Sequence, residues 1–294
     1  MMSDARRGGD AELEQAIAVV RSLPEIMPQD ADATVREIYE DVQNTLRVPF
    51  VNQLFRLLAS NSDYLQAAWR YVGPIAETRA FEDASTALRE VARPDFAMEA
   101  ADAEWTSLGD LDRVRRFTES IHYVLPKLLL AVTLLDPAIR GTDGERARGS
   151  ETFPKGVAAG TEKIEMVDPE AADEPLRSLF ADIRERHRHP ALATYFRSLG
   201  QWPELLKAIW TRLAPHVGGR GHEARKAALI DRAGELAAGL RTEDERPPNL
   251  PEPAAAVLAV FRLRVIPDLL VDVAIVRAML DGPEAARTNR FVVK

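Results

Sequence analysis

The sequence predicts an all-α fold of two tandem helical pseudo-repeats that form an intramolecular pseudo-dimer joined by a long linker. Three observations carry this expectation. Apolar residues recur at i, i+3, i+4 spacing through much of the chain, the mark of helices that bury one face. Strand signals are nearly absent. The stretch PFVNQLFRLLASNSDYLQAAW at Pro49–Trp69 returns as PALATYFRSLGQWPELLKAIW at Pro190–Trp210, at a constant offset of 141 residues.

Residues 1–30 are set apart as an N-terminal extension, whose opening MMSDARRGGDAELEQ lacks the apolar run of a signal peptide. The first repeat is expected at 31–144, with helical periodicity at Val35–Leu46, Val51–Leu58, Leu65–Val72 and Leu111–Leu135. Residues 145–172 read as a linker, because the surrounding stretch Gly141–Pro175 is rich in Gly, Pro and charge and holds no sustained period. The second repeat follows at 173–294, periodic at Leu176–Arg186, Leu205–Leu213 and Ala254–Leu280. Setting Tyr39–Pro74 against Phe180–Pro215 without gaps gives ten identities in 36 pairs, several-fold more than unrelated helices share. They include Asp41/Asp182, Arg47/Arg188, Phe55/Phe196, Leu58/Leu199 and Pro74/Pro215. The offset persists at Pro126/Pro267, each inside a long apolar helix that a proline should kink by removing a backbone donor. A unit of 141 residues excludes short-period solenoids.

Composition narrows the function. With 294 residues, 46% of them hydrophobic, the chain can bury a sizeable core. A net charge of -8 argues against nucleic acid as a partner. Zero cysteines exclude disulfides, thiolate nucleophiles and Cys-ligated zinc. The longest apolar run, Leu128–Leu135, falls well short of the roughly 18 residues of a membrane span. A cytoplasmic protein with no membrane partner is expected.

Two similar halves favour a ligand site between them, where concave, mostly apolar pockets occur. Residues facing such a site need not repeat. NQLF at Asn52–Phe55 stands opposite ATYF at Ala193–Phe196, and Leu125-Pro126-Lys127 opposite Ile266-Pro267-Asp268.

YEDVQNTLRVPF (Tyr39–Phe50), LQAAWR (Leu65–Arg70), PKLLL (Pro126–Leu130), FPKG (Phe153–Gly156), FRSLGQWPELL (Phe196–Leu206) and LDGPEAA (Leu280–Ala286) together resemble the group I α-haloacid dehalogenases of the DehI type. That family is helical and built from two pseudo-repeats. The resemblance implies an enzyme that displaces halide from the α-carbon of a small carboxylic acid with water, without a covalent ester. It also implies which positions do so. Where the family has its water-activating aspartate this chain has Tyr195, and where it has its water-holding asparagine this chain has Leu125. At pocket positions Phe50 replaces a tryptophan, Gln53 a phenylalanine, Thr194 a serine and Arg262 a tyrosine, while Ile266 and Leu270 keep an aliphatic wall, and Asn52 is a further candidate for substrate binding. A tyrosine, with a pKa near 10, is a poor base at neutral pH, and leucine cannot hold a water. The family's hydrolysis is therefore expected to be lost.

Other residues are weighed against plainer roles. His187 and His189 in HRHP are placed in a surface loop, and no metal or other cofactor is expected. Asp268 and Asp272 share a helix face about 200° from the Ile266/Leu270 wall, and are read as structural. Trp69, Trp210, Arg47 and Arg188 occupy equivalent repeat positions and look architectural. Arg262, Ile266 and Leu270 form one stripe at i, i+4, i+8, so Arg262 is expected to pair with a carboxylate, sulfate or phosphate of a small anionic substrate.

Three functions follow. The first is displacement of an anionic leaving group at a saturated carbon by a nucleophile within the substrate, as in ring closure. The second is a ligand-binding protein or silent subunit. The third is a haloacid dehalogenase using another base, such as His189. A homo-oligomer, or a heterodimer with a related chain, is compatible with each.

Overall fold

The computed structural model describes residues 2–96, 101, 103–139, 151–241 and 247–293. Among them are helices and turns, with a lone bridge between Thr78 and Thr152 and no strand. No helix of the described residues is long and apolar enough to cross a membrane.

The helices are α1 (Met2–Ser22), α2 (Ala33–Leu46), α3 (Gln53–Leu58), α4 (Ser62–Ala76), α5 (Arg79–Ala92) and α6 (Leu111–Leu134), then α7 (Glu174–His187), α8 (Thr194–Leu199), α9 (Pro203–Leu213), α10 (Arg220–Leu240), α11 (Glu252–Val260) and α12 (Ile266–Asp281). Side-chain caps start several of them. Asp32 accepts from Val35 N at 2.8 Å, Thr78 from Phe81 N at 3.2 Å, and Asp173 from Leu176 N at 3.1 Å, each satisfying a backbone donor that a helix start leaves without an internal partner.

The 141-residue offset runs through the elements themselves. α2, α3, α4, α5 and α6 start at 33, 53, 62, 79 and 111, and α7 to α11 start at 174, 194, 203, 220 and 252, each 141 later. Small details follow the same rule. Arg36 and Arg177 donate to the carbonyls of Ala31 and Ala172, and Trp69 and Trp210 donate to Asp41 and Asp182 at 2.7 and 2.6 Å. Arg47 and Arg188 take left-handed φ values of 66° and 54° to close α2 and α7.

The core is built around α6 and α12, which pack on one another and are buried along most of their length. α10 crosses α5 and α6, so each half buries apolar surface against the other. α1, which lies in the expected extension, packs on α11 through Ile17 and Val20.

Two local expectations change. The single helix expected at Ala254–Leu280 is divided into α11, a π turn at Phe261–Val265, and α12. Pro267 cannot donate to the helix ladder, and the wider turn just ahead of it absorbs the missing bond. α6 instead continues through Pro126. Of the linker expected at 145–172, residues 145–150 lie outside the described residues. From Glu151 the chain binds to both halves: Lys155 bridges Asp41 and Glu77 at 2.7 and 2.8 Å, Glu162 meets Arg113 and Arg116, and the Ile164 carbonyl accepts from Ser198.

Candidate functional site

The short helices α3 and α8 are linked by a side-chain hydrogen bond. Arg56 on α3, almost fully buried, joins them. Its Nε meets Glu25 Oε2 at 3.0 Å and its Nη2 donates to Thr194 Oγ1 at 3.0 Å. Gln53 donates to the other oxygen of Glu25 at 2.6 Å. Burial pulls the Arg56 pKa below its usual value, and the Glu25 carboxylate opposes that fall. Gln53 and Thr194, two residues expected at the site, are thus linked through Arg56 and Glu25. The sequence reading passed over both of the linking residues. A signal was present, since Arg56/Arg197 is one of the ten repeat identities.

A cavity of about 190 Å³ lies here, walled by Phe50, Phe117, Met166, Thr194, Ser198 and Arg56. Of the residues expected at the site, Phe50 and Thr194 line this cavity. Asn52, Gln53, Leu125, Arg262, Ile266 and Leu270 are not among its lining residues. Leu125, Ile266 and Leu270 are core residues, 4%, 1% and 0% exposed. Asn52 starts α3 with its amide nitrogen buried and unpartnered. Tyr195 stacks on Phe117 at 5.9 Å, and its hydroxyl lies 3.1 Å from Thr118 Oγ1. Burial raises its pKa above the normal 10, although the Thr118 hydroxyl works against the shift. Among the lining residues Glu165 is the one carboxylate, and it is exposed and paired with Lys163 at 2.9 Å.

Arg262 answers to a different partner from the one the sequence suggested. It lies on the π turn, partly exposed, and pairs with Asp136 at 2.9 Å. An acidic residue of the chain itself meets the charge for which a ligand anion was expected.

The histidines differ most from expectation. His187 and His189 lie in the core rather than in a surface loop, at 3% and 2% exposure, because α12 presents Asp268 and Asp272 to them. His187 Nε2 lies 2.7 Å from Asp272 Oδ2 and its Nδ1 2.7 Å from the Ile183 carbonyl. Both partners are acceptors, so both nitrogens donate and the ring is an imidazolium. Burial opposes that charge but Asp272 outweighs it, and the His187 pKa is raised. Burial would raise the Asp272 pKa, yet His187 and His222, the latter at 3.1 Å, hold it well below the carboxylate range. His189 meets Asp268 at 3.1 Å, and burial lowers its pKa. Asp268 and Asp272 are thus structural in the sense expected of them. His222, Glu223 and Asp268 offer ligand atoms within 4.8 Å of one another. Lys226 Nζ already lies 2.6 Å from Asp268 and 3.1 Å from Glu223, supplying the positive charge a metal would bring.

A second buried cluster lies in the first half. Lys127, next to Pro126, pairs with Glu82 at 2.8 Å and donates to Tyr123 at 2.7 Å, with lysine and glutamate 1% and 4% exposed. Burial brings its pKa to about 8, with Glu82 resisting the fall.

Comparison with known proteins fits this architecture. The family model described as Halocarboxylic acid dehydrogenase DehI matches residues 49–195. A configuration-inverting 2-haloacid dehalogenase of Pseudomonas sp. (strain 113) is 27% identical over 296 residues, covering 94% of this chain and 96% of that protein. One from Alcaligenes xylosoxydans xylosoxydans is 29% identical over 291 residues, covering 92% and 98%. A solved D-2-haloacid dehalogenase mutant in complex with D-2-CPA superposes with a TM-score of 0.73 at 22% identity, over 85% of this chain and 93% of that one. A D-2-haloacid dehalogenase in complex with L-LA does so with a TM-score of 0.73 at 20% identity, over 90% and 95%. At those identities the likeness is one of fold.

Proposed function

This chain belongs to the Halocarboxylic acid dehydrogenase DehI family, and on that premise we propose that it is a dehalogenase-like enzyme acting on a small anionic molecule. It displaces a halide, sulfate or phosphate leaving group from a saturated carbon. The nucleophile is carried by the substrate, so the reaction is a ring closure in specialised metabolism rather than hydrolysis. One observation carries the departure from hydrolysis. Where the resemblance puts the family's base stands Tyr195, buried, its pKa raised and its hydroxyl against Thr118, and where it puts the water-holder stands Leu125, which offers no side-chain hydrogen bond.

The step balances without a protein base at position 195. The substrate's lone pair forms the new bond to carbon as the bond to the leaving group breaks, the pair departs with the anion, and the nucleophile's proton passes to solvent. Alignment of an internal nucleophile supplies several kcal/mol of barrier reduction, since effective molarities for such attack are large. In this reading Arg56 and Thr194 hold the anionic end, and Phe50 and Phe117 exclude water. The same proposal divides the chain into repeats 31–144 and 173–294, joined by the 145–172 segment, with that cavity between them. A cytoplasmic enzyme, as a homo-oligomer or a heterodimer with a related chain, completes the proposal.

A second reading, a ligand-binding protein without chemistry, draws support from the small cavity and the internal pairing of Arg56. Halide release separates the two. Incubation with either enantiomer of 2-chloropropionate should release none above background, and robust release would refute the loss of hydrolysis. Release from 3-chloro-2-hydroxypropanoate, whose hydroxyl can close on the chlorinated carbon, supports ring closure. A thermal shift with that compound and no release supports the binding protein.

A further inference from the structure

The cavity of about 190 Å³ has a counterpart 141 residues on, a surface groove of about 430 Å³. Pro28, Gln43, Pro49 and Arg56 line the first, and Pro169, Arg184, Pro190 and Arg197 line the second, each pair 141 apart. The frame is the same and the charge is not. Glu25 neutralises Arg56 at 3.0 Å, whereas position 166, the repeat partner of 25, is a methionine, and Arg197 has no ion pair among the described residues. Gln43 becomes Arg184, also without an ion pair among the described residues, and Arg177 joins from two turns away on α7. Neutral carbonyls fix two of the three guanidinium groups: Arg197 Nε donates to Val167 O at 3.3 Å and Arg177 Nη2 to Ala172 O at 2.7 Å. Arg177 does pair with Glu174, but both are largely exposed and the contribution is small. Glu170 is the one acid among the lining residues. This positive groove lies in a chain of net charge -8.

We propose that the groove is a second ligand site, built on the frame of the cavity, that takes the phosphate of a small phosphate monoester. Guanidinium groups that no buried carboxylate neutralises match a tetrahedral oxyanion through paired N–H donors. Phe180, Leu192 and Pro190 provide an apolar wall for the organic part. Ala191, standing where the cavity has Phe50, leaves room for it. Arg197 also repels Arg56 across α8, and a bound dianion relieves that repulsion.

Calorimetric titration of the full chain with phenyl phosphate and with inorganic phosphate, at low salt, tests this inference independently of any catalysis. Phenyl phosphate should bind saturably and more tightly than inorganic phosphate. Arg184→Gln, which restores the residue type of the first repeat at an exposed site, should weaken it at least about tenfold, and Arg197→Ala likewise. Arg232→Ala, on a distant exposed face, should leave affinity unchanged. No saturable binding of either probe overturns the site, and so does equal weakening by Arg184→Gln and Arg232→Ala. Equal affinity for the two probes overturns the monoester assignment.

Discussion

Replacing Asp272 with asparagine tests the buried imidazolium. The substitution keeps the shape of a side chain that is 0% exposed and removes the charge facing His187 at 2.7 Å and His222 at 3.1 Å. Breaking a buried pair by neutralising one partner costs about 3–5 kcal/mol, because the other charge stays desolvated. His187 can respond by losing its proton, Nδ1–H still donating to the Ile183 carbonyl and Nε2 accepting from the new amide nitrogen. The sign with pH follows. His187 has a raised pKa in the folded chain, so its contribution is full below its unfolded pKa near 6.5 and fades as pH rises through the folded value. Asp272 has a lowered pKa, so its contribution is full above about 4 and is lost in stronger acid. The two together act between about pH 4 and 6.5. Asp268, Lys226, His189 and His222 face the same space, and Lys226 balances Asp268. Urea denaturation of the native chain and Asp272→Asn should therefore differ most near pH 6 and less near pH 9. An equal difference at both would mean that His187 is neutral when folded, and the reasoning from its two acceptors would fail.

Three further outcomes are expected. Lys127→Met strands Glu82 and should cost about 3–5 kcal/mol, while Lys127→Met with Glu82→Gln should recover much of it; a double-variant loss equal to the sum of the two single losses would show that the two charges are not coupled. Arg262→Leu should cost no more than about 1 kcal/mol by chemical denaturation, since its pair with Asp136 is partly exposed, and a much larger loss would give that arginine a deeper role. Residues 1–150 alone should aggregate or dimerise, because α5 and α6 would expose the faces that α10 and α12 cover; a monomer that unfolds cooperatively would count against the two-repeat proposal.

Helical periodicity and the repeat offset were legible because both depend on local spacing, and α2 to α4, α7 and α9 fall close to the segments read from sequence. α1, α5, α8 and α10 were missed. α5 is amphipathic but dense in charged residues, and α10 carries charges on a face that is buried all the same, at Arg225 and Lys226. The cavity was half legible. Phe50 and Thr194 came from the family resemblance, whereas Glu25 and Arg56 depend on a contact 31 residues apart that no spacing rule supplies. The histidines were misplaced for the same reason. HRHP reads as a loop until Asp268 and Asp272 arrive from 79 and 85 residues away to satisfy it. The Arg262 stripe was drawn on a regular helix, and the π turn ahead of Pro267 changes the register on which that projection relied.

The two buried clusters are related by the same offset, and that relation explains why charge is retained in the core. Lys127 and Asp268 are 141 apart, each directly after its proline, and so are Glu82 and Glu223 and the pair Ser85 and Lys226. In the first half the cation is on α6 and the anion on α5; in the second the anion is on α12 and its cation, Lys226, on α10. α5 and α10 each pack on both α6 and α12, and apolar contact alone discriminates weakly between such similar surfaces. The exchanged charges set which side chains meet. Glu82 brought against Asp268, or Lys226 against Lys127, would be a buried like-charge contact that desolvation makes costly. A hydrophobic pair at each place would hold the helices as firmly. It would not tell one half from the other.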